Sequence, residues 1–139
     1  PFETGSARPL DFGHWLAHQL EVQSEGRLRH GQAVAVGIAA DSLLAESIGW
    51  LTRDEAERII AALRAAHLPV WDEELERRGP DGRRRILDGL EAFREHLGGA
   101  LTLTLPQGIG ARGEIHEVDP GRWEEIFSRL RPDQGLPPA

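Results

Sequence analysis

The stretch GQAVAVGIAADSLLAESIG, residues 31–49, decides the fold class. Apolar residues occur on most faces of the helix that it would form, so this helix is expected to be buried on most sides. Several small side chains would allow neighbouring helices to approach closely. They are Ala33, Ala35, Gly37, Ala39 and Ala40. The stretch therefore predicts a helix in the middle of a helical bundle.

The segment before this helix divides into a linker and a second helix. Residues 1–9, PFETGSARP, are polar and contain Gly and two Pro, as is typical of a linker between domains. A helix is predicted from about Asp11 to Ser24, with Gly26 as its C-terminal stop. The polar turn 27–29 then leads to His30.

The segment after the central helix predicts a series of shorter elements. Thr52 and Glu55 form a capping box, which marks the start of a helix. The sequence from Ala100 to Leu105 alternates with a period of two and predicts a strand. The predicted elements are a helix from Thr52 to about His67, a short helix at 72–78, a helix at 82–96, a hairpin with strands at 100–105 and 114–118, and a helix from Asp119 to about Leu130.

The fold class predicted from these elements is mainly α: a multi-helix domain with one small β-hairpin near the C-terminus. The domain is expected to span residues 10–131, between the linker 1–9 and a flexible tail at 132–139. A chain of 139 residues is the size of one domain.

Composition excludes several classes of protein. The chain has no Cys, so disulfides and thiol catalysis are excluded, and all 16 basic residues are Arg, so a lysine Schiff base is excluded. The net charge of −7 argues against a nucleic-acid-binding surface. Without a long apolar run, a signal peptide or Cys, we expect no membrane span and a cytoplasmic location. The basic cluster Arg83–Arg85, with Arg77 and Arg78 upstream, is interleaved with acids and is expected to be a solvated helix face, with an anion contact as the alternative.

Three of the six histidines fall within seventeen residues. His14 and His18 are four residues apart and share one face of the predicted helix, with Glu21 three residues further on the same face. An antiparallel helix pair could bring His30 back towards His14. Imidazoles in this pattern suit a metal site, but they also suit acid–base or phosphate contacts without metal, or a structural role.

These residues carry a resemblance to a known family. GHWLAHQLE, residues 13–21, and HGQAVAVGI, residues 30–38, resemble the metal-binding signature of dehydroquinate synthase and the wider sugar-phosphate cyclase family, NFGHTxGHAxE and HGExVAxGM. The separation of sixteen residues from His14 to His30 is close to the family's spacing. GGALTLTLPQGIG, residues 98–110, is similar to the family's GGxLxxVLPxxIG. The resemblance spans about residues 10–118.

The resemblance implies that the chain is the C-terminal domain of such an enzyme. A missing N-terminal nucleotide-binding domain would hold NAD, and His14 and His30 would bind Zn²⁺ or Co²⁺ with a glutamate from upstream. His18 would be the catalytic residue beside the substrate. The enzyme would convert a seven-carbon sugar phosphate to a carbocycle with elimination of phosphate, as in aromatic amino acid biosynthesis. Members of the family are often homodimers, and the chain alone is expected to be inactive.

Departures from the family pattern concern the substrate pocket. The family's asparagine three residues before the first histidine is Asp11, and a carboxylate only accepts hydrogen bonds. Gln32 replaces a glutamate next to the His-Gly pair, and Arg94 is expected to replace a lysine as a contact for the anionic substrate. These changes favour, as an alternative, a cyclase for another sugar phosphate with a valiolone-type product. Two further alternatives are a helical protein that binds metal through His14, His18 and His30 alone, and a non-enzymatic interaction module.

Overall fold

The structure is a computed structural model that describes residues 14–96, 103–106, 108, 112–115 and 120–132. Within these residues it is mainly helical, with one antiparallel hairpin, which confirms the predicted fold class. The elements are α1 (His14–Gln23), α2 (His30–Ser47), α3 (Arg53–Ala65), a short 3₁₀-helix (Glu73–Glu76), α4 (Arg85–His96), β1 (Leu103–Pro106), β2 (Arg112–Ile115) and α5 (Pro120–Leu130). The predicted linker 1–9 and residues 133–139 of the predicted tail lie outside the described residues.

Helix α2 forms the centre of the domain, as its sequence predicts. It packs against α1, α3, α5 and β1. Its small residues Ala33, Ala39 and Ala40 are completely buried, and so are the larger Leu43 and Leu44. Burial of so many apolar side chains on one helix supplies much of the hydrophobic stabilisation of the fold.

A tight turn returns the chain from α1 to α2. Glu25 and Gly26 both adopt the left-handed conformation, with φ of 53° and 83°, and the Gly26 N–H donates to the carbonyl of Glu21 at 3.1 Å. This geometry ends α1, so the predicted role of Gly26 is confirmed. The two helices then pack side by side, and the start of α2 lies beside the end of α1.

An ion pair joins this turn to the 3₁₀-helix. The guanidinium of Arg27 donates to both carboxylate oxygens of Asp72, at 3.1 and 2.6 Å. Asp72 also accepts from the N–H of Glu74 and so caps the 3₁₀-helix. The hydrogen bond from Arg27 to Asp72 raises the pKa of Arg27 above its ordinary value, so it stabilises the charged guanidinium.

Helix α4 runs antiparallel to α1. The Gln23 amide, near the end of α1, donates to the carbonyl of Arg85 at the start of α4, at 3.0 Å. Further along, Gly89 lies against Gln19 and Gln23, and a Cβ added at Gly89 would be 2.7 Å from the Gln23 amide nitrogen. Glycine therefore permits close contact between the two helices.

The hairpin and α3 differ little from their predictions. In β1 and β2 the register pairs Leu103 with Ile115 and Pro106 with Arg112, so β1 extends one residue beyond the predicted end and β2 begins two residues earlier than predicted.

The Thr52 hydroxyl accepts from the Glu55 N–H at 3.1 Å, which confirms the predicted capping box at α3.

The arginine cluster is exposed as its charge pattern predicts, except at Arg84, and most of it lies in a turn before α4 and not in a helix. Residues 77–84 form an irregular turn closed by a bridge between Arg78 and Arg84, with Gly82 at φ 82°. The turn directs Arg84 inward, where it is 3% exposed. Its neighbours Arg83 and Arg85 are exposed, as expected. In the part of the chain that the structure describes, no helix has the length and apolar character needed to cross a membrane.

Candidate metal centre

The turn between α1 and α2 places His30 beside Glu21, in the C-terminal half of α1. His14 is the first residue of α1, and His18 follows one helical turn later with its side chain exposed. His30 is the first residue of α2 and is also exposed. The side chain of His14 lies outside the described part of the structure, so its predicted ligand role remains a prediction.

Glu21 connects the two helices at this site. Nδ1 of His30 lies 3.0 Å from Oε1 of Glu21, within hydrogen-bond distance. A carboxylate only accepts hydrogen bonds, so Nδ1 carries the hydrogen in this contact, and in the neutral tautomer the lone pair is on Nε2. Histidines that bind metals commonly have their second nitrogen held by a carboxylate in this way.

His18 lies on the same face as Glu21, because the two residues are three positions apart on α1. Among the side chains that the structure describes, no group of three His, Asp or Glu residues is arranged to hold a metal ion. The described residues therefore supply one oriented imidazole, at His30. The predicted centre needs His14 and a group from outside the described residues in addition.

The start of α2 is fixed by Gln32. Its side-chain oxygen accepts a hydrogen bond from the Arg29 N–H at 3.0 Å, while the Ala33 N–H donates to the Arg29 carbonyl at 2.9 Å. From the sequence, Gln32 differs from the glutamate of the family pattern only by the loss of a charge. The structure adds that Gln32 holds the first turn of the helix on which His30 lies.

The predicted substrate contacts are Arg94 and Asp11. Of these two residues, only the backbone of Arg94 belongs to the described part of the structure. Gly89 of α4 contacts Gln19 of the antiparallel helix α1. Arg94 is five residues after Gly89, and His14 is five residues before Gln19. Five residues of helix correspond to about 7.5 Å along the axis, so the backbone of Arg94 lies near the level of His14. The side chain of Arg94 and all of Asp11 are outside the described residues.

Sequence reasoning missed the contact between Glu21 and His30. It placed Glu21 on the histidine face of α1 but assigned it no role. The signal that would have found this contact is the combination of that face with the sharp stop at Gly26, which returns His30 beside the end of α1.

Comparison with known proteins identifies the family. Residues 1–79 match the family model described as 3-dehydroquinate synthase C-terminal. The chain is 41% identical over 128 residues to a 3-dehydroquinate synthase of Psychrobacter arcticus, covering 91% of this chain and 31% of the relative. It is 32% identical over 123 residues to a 2-epi-5-epi-valiolone synthase of Streptomyces albus, covering 88% of this chain and 28% of the relative.

A solved structure of a relative has a similar fold. The 2-epi-5-epi-valiolone synthase of Streptomyces hygroscopicus subsp. jinggangensis, with NAD⁺ and Zn²⁺ bound, matches with a TM-score of 0.74 and 30% identity. The match covers 86% of this chain and 31% of that chain. The fold is thus that of a helical domain found within longer synthases. The chain belongs to the 3-dehydroquinate synthase C-terminal family, and it spans about three tenths of the length of these relatives.

Proposed function

We propose that the protein acts as a sugar-phosphate cyclase of the 3-dehydroquinate synthase type, dependent on NAD and a divalent metal ion. The observation that carries the proposal is the His30 imidazole, which Glu21 holds at 3.0 Å within the family's histidine signature. The substrate would be a seven-carbon sugar phosphate, and the product a carbocycle formed with loss of phosphate.

The residues present suit a metal such as Zn²⁺ or Co²⁺. His30 offers a ring nitrogen whose orientation is set by the contact with Glu21, and His14 lies at the start of the adjacent helix α1. A catalytic zinc has three protein ligands and an open position, so we propose that the third ligand is a glutamate outside this chain. When bound, the metal would polarise the substrate hydroxyl that is oxidised, and NAD would accept a hydride and later return it.

The chain's own residues would bind and orient the substrate. His18, exposed on the same face of α1 as Glu21, could hold or transfer a proton at the reacting group. Arg94, whose backbone is near the level of His14, would contact the phosphate, which a guanidinium can bind through two parallel hydrogen bonds. Asp11 would accept hydrogen bonds from substrate hydroxyls.

We expect these 139 residues alone to be inactive, because the proposed site would include groups from outside the chain. The relatives are about three times as long, and a nucleotide-binding domain from outside the chain would supply the NAD site and the third metal ligand. We therefore expect no release of phosphate by the isolated 139-residue chain. A homodimer is a further expectation from the family.

The experiment compares two seven-carbon substrates in the full-length protein, meaning this chain together with the nucleotide-binding domain proposed above. One substrate carries a carboxylate besides its phosphate and would lead to 3-dehydroquinate, and the other is a ketose phosphate without a carboxylate that would lead to 2-epi-5-epi-valiolone. We expect release of phosphate that requires NAD and stops when a chelator removes the metal. Activity only with the ketose phosphate would replace 3-dehydroquinate synthesis by the alternative cyclase reaction. Turnover of neither substrate by protein loaded with NAD and metal would contradict the proposed function.

Variants connect this activity to the predicted residues. His14→Ala and His30→Ala should each abolish both metal content and turnover. His18→Ala should reduce turnover by about 10²–10⁴-fold while metal content is retained, because a group that transfers protons is lost but no ligand is removed. His67→Ala is the matched control, since His67 is exposed at the end of α3 and should affect neither quantity.

A further inference from the structure

We propose that Glu21 is a positioning residue for the metal centre: it holds Nδ1 of His30 so that Nε2 is directed to the metal. This inference rests on the proposed function, because it concerns the same site, and it adds a role that the histidine ligands alone do not define. Glu21 would act through His30 and would not itself bind the metal.

The hydrogen bond between the two side chains is the first observation. Nδ1 of His30 and Oε1 of Glu21 are 3.0 Å apart, and the carboxylate can only accept. Of the two tautomers of the neutral ring, the bond therefore favours the one with hydrogen on Nδ1 and the lone pair on Nε2. A metal requires an unprotonated nitrogen, so this is the tautomer that would bind a metal through Nε2.

The backbone on both sides of the contact is fixed, which is the second observation. The carbonyl of Glu21 accepts from the N–H of Gly26 at 3.1 Å and from the hydroxyl of Ser24 at 3.4 Å. These two hydrogen bonds fix the backbone of Glu21 at the end of α1. Gln32 fixes the first turn of α2 through the N–H of Arg29, directly before His30. Neither side chain is on a free loop, so the pair is preorganised.

An ordinary surface ion pair is the alternative explanation for this contact. His30 and Glu21 are 63% and 35% exposed, and exposed pairs contribute little to stability. The two explanations differ in what they predict for Glu21→Ala. Loss of a surface pair would leave the affinity for metal unchanged, whereas loss of a positioning carboxylate would weaken it by about 10- to 100-fold.

The test measures Co²⁺ binding to the metal-free full-length protein. The affinity is obtained by competition with a chromophoric chelator, and the visible absorption of bound Co²⁺ reports the geometry of the centre. For Glu21→Ala we expect the 10- to 100-fold weaker affinity and altered Co²⁺ bands, because the His30 ring can then rotate. Glu21→Gln keeps an acceptor at the same length, so its affinity should lie between those of the wild type and Glu21→Ala.

Glu125→Ala serves as the matched control. Glu125 is an exposed glutamate inside α5, and α5 contacts the far end of α2 through Arg122 and Ser47. The variant removes the same charge from a helix, so it should leave Co²⁺ affinity and spectrum unchanged. Similar unfolding midpoints of the two metal-free Ala variants would confirm that the loss of affinity is not a loss of folding.

The outcomes separate the two proposals. If the wild type binds Co²⁺ and Glu21→Ala binds it equally well with the same spectrum, the role of Glu21 is overturned while the proposed function stands. If the wild type binds no Co²⁺, the proposed function is overturned and the role of Glu21 with it. If Glu21→Ala and Glu125→Ala weaken binding equally, general electrostatic attraction replaces positioning as the explanation.

Discussion

Arg84 and Glu124 form a charged pair that ties α5 to the turn before α4. Nε of Arg84 donates to Oε1 of Glu124 at 2.6 Å, and Nη1 donates to the carbonyl of Leu75 at 2.7 Å. The Arg84 side chain is 3% exposed and its guanidinium carbon lies 5.6 Å from the centroid of the Phe127 ring. A single buried cation therefore holds together segments that are distant in the sequence.

Replacement of Arg84 should destabilise the protein strongly. Arg84→Ala would leave the Leu75 carbonyl without its partner and remove the packing on Phe127, and we expect a loss of about 2–4 kcal/mol in the free energy of unfolding. Arg84→Lys keeps the charge but cannot reproduce two donors in a fixed plane, so it should lose about 1–2 kcal/mol. Urea unfolding measures both losses.

Arg83→Ala is the control for this prediction. Arg83 is adjacent in the sequence but exposed, and its ion pair with Asp88 is 3.6 Å long. Its replacement should change the free energy of unfolding by less than about 0.5 kcal/mol. Equal losses at positions 83 and 84 would show that the buried network adds no stability of its own.

A second prediction concerns the aromatic pair formed by Trp15 of α1 and Trp123 of α5. Trp15 is 2% exposed and meets the Trp123 ring edge-on, with centroids 5.0 Å apart. Its indole N–H has no hydrogen-bond partner among the described residues. Trp15→Phe should therefore cost only about 1–2 kcal/mol, since no hydrogen bond is lost, whereas Trp15→Ala should cost about 3–5 kcal/mol.

The measurement for Trp15 combines urea unfolding with Co²⁺ binding. Because Trp15 anchors α1 next to His14, Trp15→Ala should also weaken metal affinity, and Trp15→Phe should preserve it. If Trp15→Phe and Trp15→Ala had the same free energy of unfolding, Trp15 would stabilise the protein through something other than apolar packing.

Elements whose cause lies within a few residues were predictable from the sequence. The apolar character of residues 31–49 predicted the central helix α2, and Thr52 with Glu55 predicted the start of α3 at the correct residue. Gly26 predicted the end of α1, because a left-handed residue is required there. In each case the determining residues belong to the element itself.

Features that depend on distant partners were not predictable. Nothing in the arginine run distinguishes Arg84 from its neighbours, because its burial depends on Glu124, forty residues later in the chain. The same holds at the candidate site. The spacing of α1 placed Glu21 on the histidine face, but its contact with His30 depends on how the two helices pack.

A third prediction concerns the end of α3. His67 adopts φ of 62°, while the Leu68 N–H donates to the carbonyl of Leu63 at 3.0 Å. A left-handed conformation is unfavourable for a residue with a Cβ, so His67→Gly should stabilise the protein by about 0.5–1 kcal/mol. Ala65→Gly, within the last turn of the helix, should instead destabilise it by a similar amount. Thermal unfolding of the two variants checks the opposite signs, and destabilisation by both would contradict the prediction.

The last prediction concerns Gln32, where the family pattern has glutamate. Gln32→Ala removes the acceptor for the Arg29 N–H, and we expect a loss of about 0.5–1 kcal/mol in the free energy of unfolding. Gln32→Glu keeps the acceptor and adds a negative charge in the first turn of α2. Since the N-terminus of a helix is partially positive, Gln32→Glu should stabilise the protein by about 0.3–1 kcal/mol at low salt.

Salt provides the internal control for Gln32, because it screens charge but does not replace a lost acceptor. Urea unfolding at low ionic strength and in about 1 M salt should show the gain of Gln32→Glu shrinking towards zero, while the loss of Gln32→Ala persists. Destabilisation by Gln32→Glu at low salt would mean that another negative group near His30, such as Glu21, outweighs the helix terminus. In that case the glutamine at this position relieves a repulsion between two carboxylates beside His30.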